Sequence, residues 1–530
     1  MSEITTAGAA GVTVREATFA LLRSFGMTSI FGNPGSTELL LFRDMPPDFR
    51  YVLGLQESVV LAMADGYAQA THRAAAVSLH SAGGVGHAMG SLVTAFKNRT
   101  PLVILSGQQA RSLLPGEPYL LNDQAAELPR PYVKWSREPA RAEDVPAAIA
   151  RAYYLAMAAP TGPTLVSVPT DDWDRPAGLI EPRTVSTTLC ADPELLSRIG
   201  QALAQARSPA FIAGSAVDRE GAFGDVVALA EAHQARVWAP PMSHRCGFPE
   251  THPLFAGFLP AAREDIVTLL AGHDVILSLG APVFTYHVPG AGPYLPPDAE
   301  LFQLTDDPGT AAWTPLGTAV LTSIRPAVRA LLGHRPTAAR PAPPPREAAP
   351  GVSAGETITV AYLMATLADV RPRSSVIVEE APTSRPVMCD YLPNERPESF
   401  YTCASGAIGH GLPAAVGQAL ARPGERVIAV LGDGSAMYSI QALWSAAELN
   451  LPLTVIIVNN HGYATVDRFA ERYGMSKPPG TVLNGIDFTL LARAQGCAAA
   501  RAERPDQLAA LLSRALSHPA PFLVEVPVTG

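Results

Sequence analysis

Short runs of β-branched and aliphatic residues alternate with longer stretches of helical periodicity along almost the whole chain. Near the N-terminus, 29–31, 51–55, 75–79, 102–106 and 163–168 read as buried strands, with helical patterns such as 58–70 and 86–96 between them. The pattern returns with strands at 210–213, 236–239, 275–279 and 301–304. It returns again at 375–379, 426–431, 453–458 and 522–526. Strand–helix alternation of this kind predicts α/β architecture, in which parallel sheets carry helices on both faces. The fold class is therefore three doubly wound parallel-sheet domains, which look like three variants of one architecture.

Breaks in the pattern place the boundaries. Residues 334–356 read HRPTAARPAPPPREAAPGVSAGE, a proline density that stiffens the chain and forbids a buried helix or central strand. A second break lies near 170–192, around DDWDRP. The expected division is a first domain over 1–183, a middle domain over 190–333, an exposed linker over 334–356 and a last domain over 357–530.

Composition narrows the class. A chain of 530 residues exceeds the roughly 250–300 that one hydrophobic core serves. It is 48% hydrophobic but only 16% charged, against a usual share of about 25%, which predicts surface hidden in an oligomer. A net charge of −9 with no basic cluster excludes a nucleic-acid footprint. Five scattered cysteines, Cys190, Cys246, Cys389, Cys403 and Cys497, predict a reducing, cytoplasmic setting rather than a disulfide scaffold or zinc site. Residues 1–10 lack the basic and apolar regions of a signal peptide. No apolar run approaches the ~18 residues of a membrane span.

In open α/β sheets ligands bind beyond the carboxyl ends of the strands, so the polar residues that follow each strand are the candidates. In the first domain these are Ser36 in FGNPGS, Glu57 in LQE and His80 in LHSAGG. Each alone reads equally as a cap, a first-turn acid or a loop histidine. Together they bring a hydroxyl, a carboxylate and an imidazole to one rim. In the last domain, the strand at 426–431 runs into Gly432-Asp433-Gly434-Ser435, then a helix expected over 437–450. The strand at 453–458 then runs into Asn459-Asn460-His461-Gly462. Asp433, Asn460 and a free loop carbonyl form a hard, oxygen-only set suited to Mg²⁺. The glycines let backbone N–H groups approach a diphosphate.

The string VLGDGSAMYSIQALWSAAELNLPLTVIIVNN resembles the thiamine diphosphate motif, which opens with GDG and closes with NN. FGNPGS, LQE, DGYAQA, LHSAGG, LPRP, SVPTDDWD and GAPVFTYH resemble benzoylformate decarboxylases, and the likeness runs from Val14 to Val526. The resemblance implies pyrimidine-binding, middle and diphosphate-binding domains in that order. It also implies a homotetramer with active sites between subunits. Activity would be non-oxidative decarboxylation of an aromatic 2-oxo acid to the aldehyde and CO₂, through a cofactor ylide and enamine.

By the same resemblance, Glu57 is the acid that activates the aminopyrimidine. Asp433, Asn460 and the Gly462 carbonyl hold Mg²⁺, and Thr383, Gly434, Ser435 and Tyr463 contact the cofactor. Ile408 is the apolar wedge beneath the cofactor, and the Gly406 carbonyl receives its amino group. Ser36, His80 and His287 form the polar reaction trio. LPRP resembles a second cation site of the family, but Glu127 stands where an asparagine is expected, which argues against a second cation here. The substrate pocket would be walled by Pro382, Thr402, Thr465, Val466 and Phe469. Of these, Thr402 replaces an expected phenylalanine, Pro382 a threonine and Val466 a leucine, while His461 replaces a glycine beside the metal loop. These departures predict an enlarged or more polar pocket, which would take a bulkier or ring-substituted aryl 2-oxo acid as readily as benzoylformate. The alternative is a carboligase resembling acetolactate synthases.

Overall fold

A computed structural model describes residues 11–529; the expectation for residues 1–10 lies outside the described residues. The continuous apolar runs become the central strands of three six-stranded sheets, every pairing parallel. The first sheet contains β1 (Ser29–Gly32), β2 (Arg50–Leu53), β3 (Ala75–Leu79), β4 (Leu102–Gln108), β5 (Trp135–Arg137) and β6 (Thr164–Pro169). Its order is β2-β1-β3-β4-β6-β5. The middle sheet contains β7 (Pro209–Ala213), β8 (Arg236–Ala239), β9 (Phe255–Phe258), β10 (Val275–Leu279), β11 (Glu300–Thr305) and β12 (Thr318–Leu321), in the order β9-β8-β7-β10-β11-β12. The last contains β13 (Val376–Glu380), β14 (Phe400–Thr402), β15 (Val427–Gly432), β16 (Leu453–Asn459), β17 (Ala498–Arg501) and β18 (Phe522–Pro527). Its order, β14-β13-β15-β16-β18-β17, repeats that of the first.

The three domains are thus variants of one doubly wound, six-stranded parallel architecture. The first and last domains share one strand order, and the middle domain has another, because its chain winds outward from β7 in both directions. Alternate residues along each central strand enter different cores. On β15, Ala429 and Leu431 face one side while Ile428 and Val430 face the other. On β10, Leu277 and Leu279 oppose Ile276 in the same way.

The first and last domains also share a core. The helices Glu57–Thr71 and Gly411–Ala421 pack face to face inside it. Their backbones approach so closely that a Cβ on Gly417 would lie 2.7 Å from Tyr67 N and 2.9 Å from the Met63 carbonyl carbon. Only glycine fits there.

Residues 339–356 form neither helix nor strand. Arg340 pins the segment to the middle domain through the Ala206 carbonyl at 2.7 Å and the His233 carbonyl at 3.0 Å. The single helix expected over 437–450 is instead two, Asp433–Met437 and Ala442–Glu448. Between them the chain turns through bonds such as Ala442 N–H to Ser439 O at 2.9 Å. That turn sets Tyr438 against Gly409, where a side chain would clash with the ring.

Candidate active site

β15 and β16 are neighbours, and their carboxyl ends deliver Asp433 and Asn460 to one turn. The Asp433 carboxylate accepts from Gly434 N–H at 2.8 Å and from Gly462 N–H at 2.9 Å. The Asn460 amide oxygen faces the same Gly462 N–H at 3.2 Å. His461 takes a left-handed conformation, φ 61°, to make the turn. Asp433 is 3% exposed, and burial pushes its carboxyl above the ordinary range against the two N–H donors. A buried carboxylate of this kind beside an amide oxygen fits a hard divalent cation. Among the described residues no group of three His, Cys, Asp or Glu side chains could hold a metal. A cation here would therefore rest on one carboxylate, one amide and backbone oxygen.

The Tyr463 ring covers Gly434, where any Cβ would collide with it. Ser435 is buried beside Asp433. Thr383 and Thr465 share a hydrogen bond of 2.9 Å between their hydroxyls, and Arg468 donates to the Thr383 carbonyl at 3.2 Å. Val466, on the same helix as Thr465, is exposed.

The loop that carries Gly406 and Ile408 is held from beneath. Glu380, at the end of β13, is fully enclosed and accepts from the backbone N–H groups of Gly409, His410 and Gly411. Burial raises its carboxyl, and these donors oppose the rise. His410 Nε2 lies 2.8 Å from Asp65, on the Glu57–Thr71 helix. Asn98 donates to Asp65 at 3.0 Å and accepts from Ala404 N–H at 3.0 Å. Gly406, Ile408, Pro382 and Thr402 line a cavity of about 610 Å³ between the middle and last domains, with Trp238 and Phe258 opposite. His287, in the loop after β10, meets Phe469 edge-on at 4.5 Å between ring centroids.

On the first sheet, β2, β1 and β3 are adjacent, so Ser36, Glu57 and His80 do reach one rim. Ser36 is exposed in the turn after β1. Glu57 opens its helix behind Gln56, whose side chain caps Ser58 N–H at 2.8 Å.

Three residues of this rim escaped sequence reasoning. His87 places Nδ1 3.1 Å from Glu57. Glu38, 3% exposed, sits 3.1 Å from His80 Nδ1, and Thr37 lies 2.9 Å from the same nitrogen. Burial pushes the Glu38 carboxyl up, while Thr37, His80 and Gly35 N–H pull it down. The only available signal was an acid two positions after Ser36, which reads as an ordinary first-turn helix residue. Glu127 is engaged in an exposed ion pair with Arg130 at 3.0 Å.

The residues therefore gather into two groups. No hydrogen bond among the described residues joins Ser36, Glu57 or His80 to the Asp433–Asn460 turn, to Thr402 or to Ile408.

Known proteins resemble this chain over almost its whole length. The N-terminal TPP binding domain of thiamine pyrophosphate enzymes matches residues 12–126, the central domain 196–331 and the C-terminal TPP binding domain 383–526. A benzoylformate decarboxylase of Pseudomonas aeruginosa is 42% identical over 97% of this chain and 98% of its own. The structure of a thiamine diphosphate-dependent 4-hydroxybenzoylformate decarboxylase of Rhodococcus jostii superposes with a TM-score of 0.94 at 40% identity, covering 98% of this chain and 99% of that one. A benzoylformate decarboxylase structure from Polynucleobacter necessarius gives 0.95 at 37% identity, covering 98% of each. With all three domain types matched in order, and the GDG and NN ends of the motif meeting on adjacent strands, the chain belongs to the thiamine pyrophosphate enzymes.

Proposed function

We propose that the protein is a thiamine diphosphate-dependent carboxy-lyase that converts an aromatic 2-oxo acid of the benzoylformate type to the aldehyde and CO₂. The observation that carries this reading is 42% identity to a benzoylformate decarboxylase over 97% of the chain. Asp433, Asn460 and the Gly462 carbonyl would hold Mg²⁺; Thr383, Gly434, Ser435 and Tyr463 would hold the diphosphate end. Ile408 and the Gly406 carbonyl would seat the rings, with Glu57 at the aminopyrimidine. When bound, thiamine diphosphate supplies the electron sink that stores the pair released as CO₂ departs.

The remaining work falls to the chain. The Ser36 hydroxyl donates to the substrate carboxylate. Apolar walls exclude water, which favours loss of the charged group. His80 and His287 move the protons: one supplies the hydrogen that replaces the carboxylate, and the other takes the hydroxyl proton as the aldehyde leaves. Pro382, Thr402, Thr465, Val466 and Phe469 wall the aryl group. A threonine at 402 leaves room for ring substituents.

Because the catalytic groups gather in two places, the working site needs Glu57, Ser36 and His80 of one subunit against the last domain of another, in a homotetramer. Exposed apolar side chains support this, with Leu39, Leu55 and Tyr119 on the first domain and Tyr438, Tyr473 and Val482 on the last. Among the described residues no helix is long and apolar enough to cross a membrane. The five cysteines are unpaired, in keeping with a reducing compartment such as the cytoplasm.

The test is CO₂ release from benzoylformate, ring-substituted benzoylformates, phenylpyruvate, branched-chain 2-oxo acids and pyruvate, with and without thiamine diphosphate and Mg²⁺. Turnover on the aryl acids that requires both is expected. Cofactor-dependent turnover confined to pyruvate, with acyloin as the product, would overturn the reading.

A further inference from the structure

We infer that Glu38 is a positioning residue that fixes the ring and the proton of His80. The inference rests on the decarboxylase reading above.

Glu38 lies in the turn after β1, folded back beneath the His80 ring. Its Oε2 accepts from Gly35 N–H at 2.9 Å, and its Oε1 accepts from the Thr37 hydroxyl. The two carboxylate oxygens lie 3.1 and 3.2 Å from His80 Nδ1. The space is made for this group. A Cβ on Gly107, at the end of β4, would overlap both Glu38 and Thr37, and a Cβ on Gly35 would overlap the His80 ring. Tyr51 is the other titratable group facing the carboxylate, and burial with the Glu38 charge keeps its hydroxyl protonated. Glu57 lies beyond the Leu79–Gly84 turn, its Oε1 3.4 Å from where a Cβ on Gly84 would be.

Proton accounting then fixes the tautomer. The single Thr37 hydroxyl proton goes to Glu38, so at Nδ1 both Thr37 and Glu38 present lone pairs. Nδ1 must carry the hydrogen. Nε2, which has no hydrogen-bond partner among the described residues, is left as the atom that gives or takes a proton at the rim. A carboxylate on Nδ1 also stabilises the imidazolium that forms when Nε2 gains a proton. Glu38 does not need to touch substrate; it acts through His80.

The test is a double-mutant cycle on the holoenzyme, measuring kcat and KM for an aryl 2-oxo acid in wild type, Glu38→Gln, His80→Ala and the double variant. Loss of the orienting partner of a metal-bound imidazole typically costs about 10–100-fold, and a loss of the same order is expected for His80. Glu38→Gln should therefore lower kcat by that factor with KM within about threefold, and change kcat less than twofold in the His80→Ala background. Equal losses in both backgrounds, or a loss in KM alone, would overturn the inference. Should Glu38→Gln not fold, Thr37→Val takes its place, removing the hydroxyl that orients the carboxylate. It should lower kcat several-fold when His80 is present and leave kcat unchanged when it is absent; no effect in wild type would equally overturn the inference. Absence of cofactor-dependent CO₂ release from the wild-type enzyme would instead sink the decarboxylase reading, so the two failures are distinct.

Discussion

Replacing Asp65 tests whether one buried carboxylate ties the first domain to the loop that carries Gly406 and Ile408. Asp65 is fully buried, and His410, Asn98 and Gln69 converge on its Oδ2 at 2.8, 3.0 and 2.7 Å. Burial opposes its ionisation, but the His410 imidazole and these donors hold the carboxyl below the ordinary range. His410 and Asn98 are themselves 3% and 4% exposed, so they would be left without acceptors. An unsatisfied buried donor costs about 1–3 kcal/mol, and breaking a buried pair by removing one partner costs about 3–5 kcal/mol. Asp65→Ala should therefore destabilise the contact by roughly 3–5 kcal/mol, which for a domain of this size lowers Tm by roughly 10 °C. Asp65→Asn can keep its amide oxygen toward all three donors but loses the negative charge and buries an NH2 group where Oδ1 was, and should fall between wild type and Asp65→Ala. Thermal unfolding followed by circular dichroism, with thiamine diphosphate affinity measured in parallel, reads both effects. A Tm for Asp65→Ala within 2 °C of wild type, or an Asn variant worse than Ala, would refute the reasoning.

Three further outcomes are expected. Glu57→Gln should retain Mg²⁺ and thiamine diphosphate but lose about 10²–10⁴-fold in kcat; hydrogen–deuterium exchange at C2 of the bound cofactor as fast as in wild type would show that Glu57 is not the activator. Thr402→Phe should favour unsubstituted over para-substituted benzoylformate by about 1–3 kcal/mol, or roughly 5–150-fold in relative kcat/KM; an unchanged ratio would remove Thr402 from the pocket wall. Glu250 is half-buried against Asn394, whose backbone N–H donates to it at 2.7 Å, and desolvation raises its carboxyl to about 7. Its folded value exceeds its unfolded one, so the protonated form stabilises the fold below about pH 4.5. That contribution, roughly 3 kcal/mol, is lost as pH rises toward 7. Glu250→Gln should flatten the decline in urea stability between pH 5 and 7, and an unchanged slope would count against it.

What could be read from the sequence divides along a physical line. Within the three six-stranded sheets, every strand that the hydrophobic pattern missed, β5, β9, β12, β14 and β17, lies at an edge. Central parallel strands are buried on both faces and must be continuously apolar. An edge strand pairs on one side only and is short, as in Trp135–Arg137 or Ala498–Arg501, so it leaves no such run.

The site divides in the same way. Asp433 and Asn460 were legible because their position, just past the ends of two adjacent strands, is itself the signal. Ser36, Glu57 and His80 were legible for the same reason. Glu38, Asp65 and Glu380 carry as much of the site's geometry, yet each is defined by a partner brought near only by folding. Glu38 needs His80, 42 positions along the chain; Asp65 needs His410, 345 positions along. Glu380 holds a loop that begins after the next strand. Residues at the rim of the candidate site are placed by local topology and can be found from strand ends. The acids that hold such residues still are placed by tertiary contact, and their common mark is a buried carboxylate on which several backbone or side-chain donors converge. Glu38, Asp65 and Glu380 carry that mark, as do Glu379 and Asp172 elsewhere in the fold, and the variants at Glu38 and Asp65 ask whether it identifies working residues as well as strand ends do.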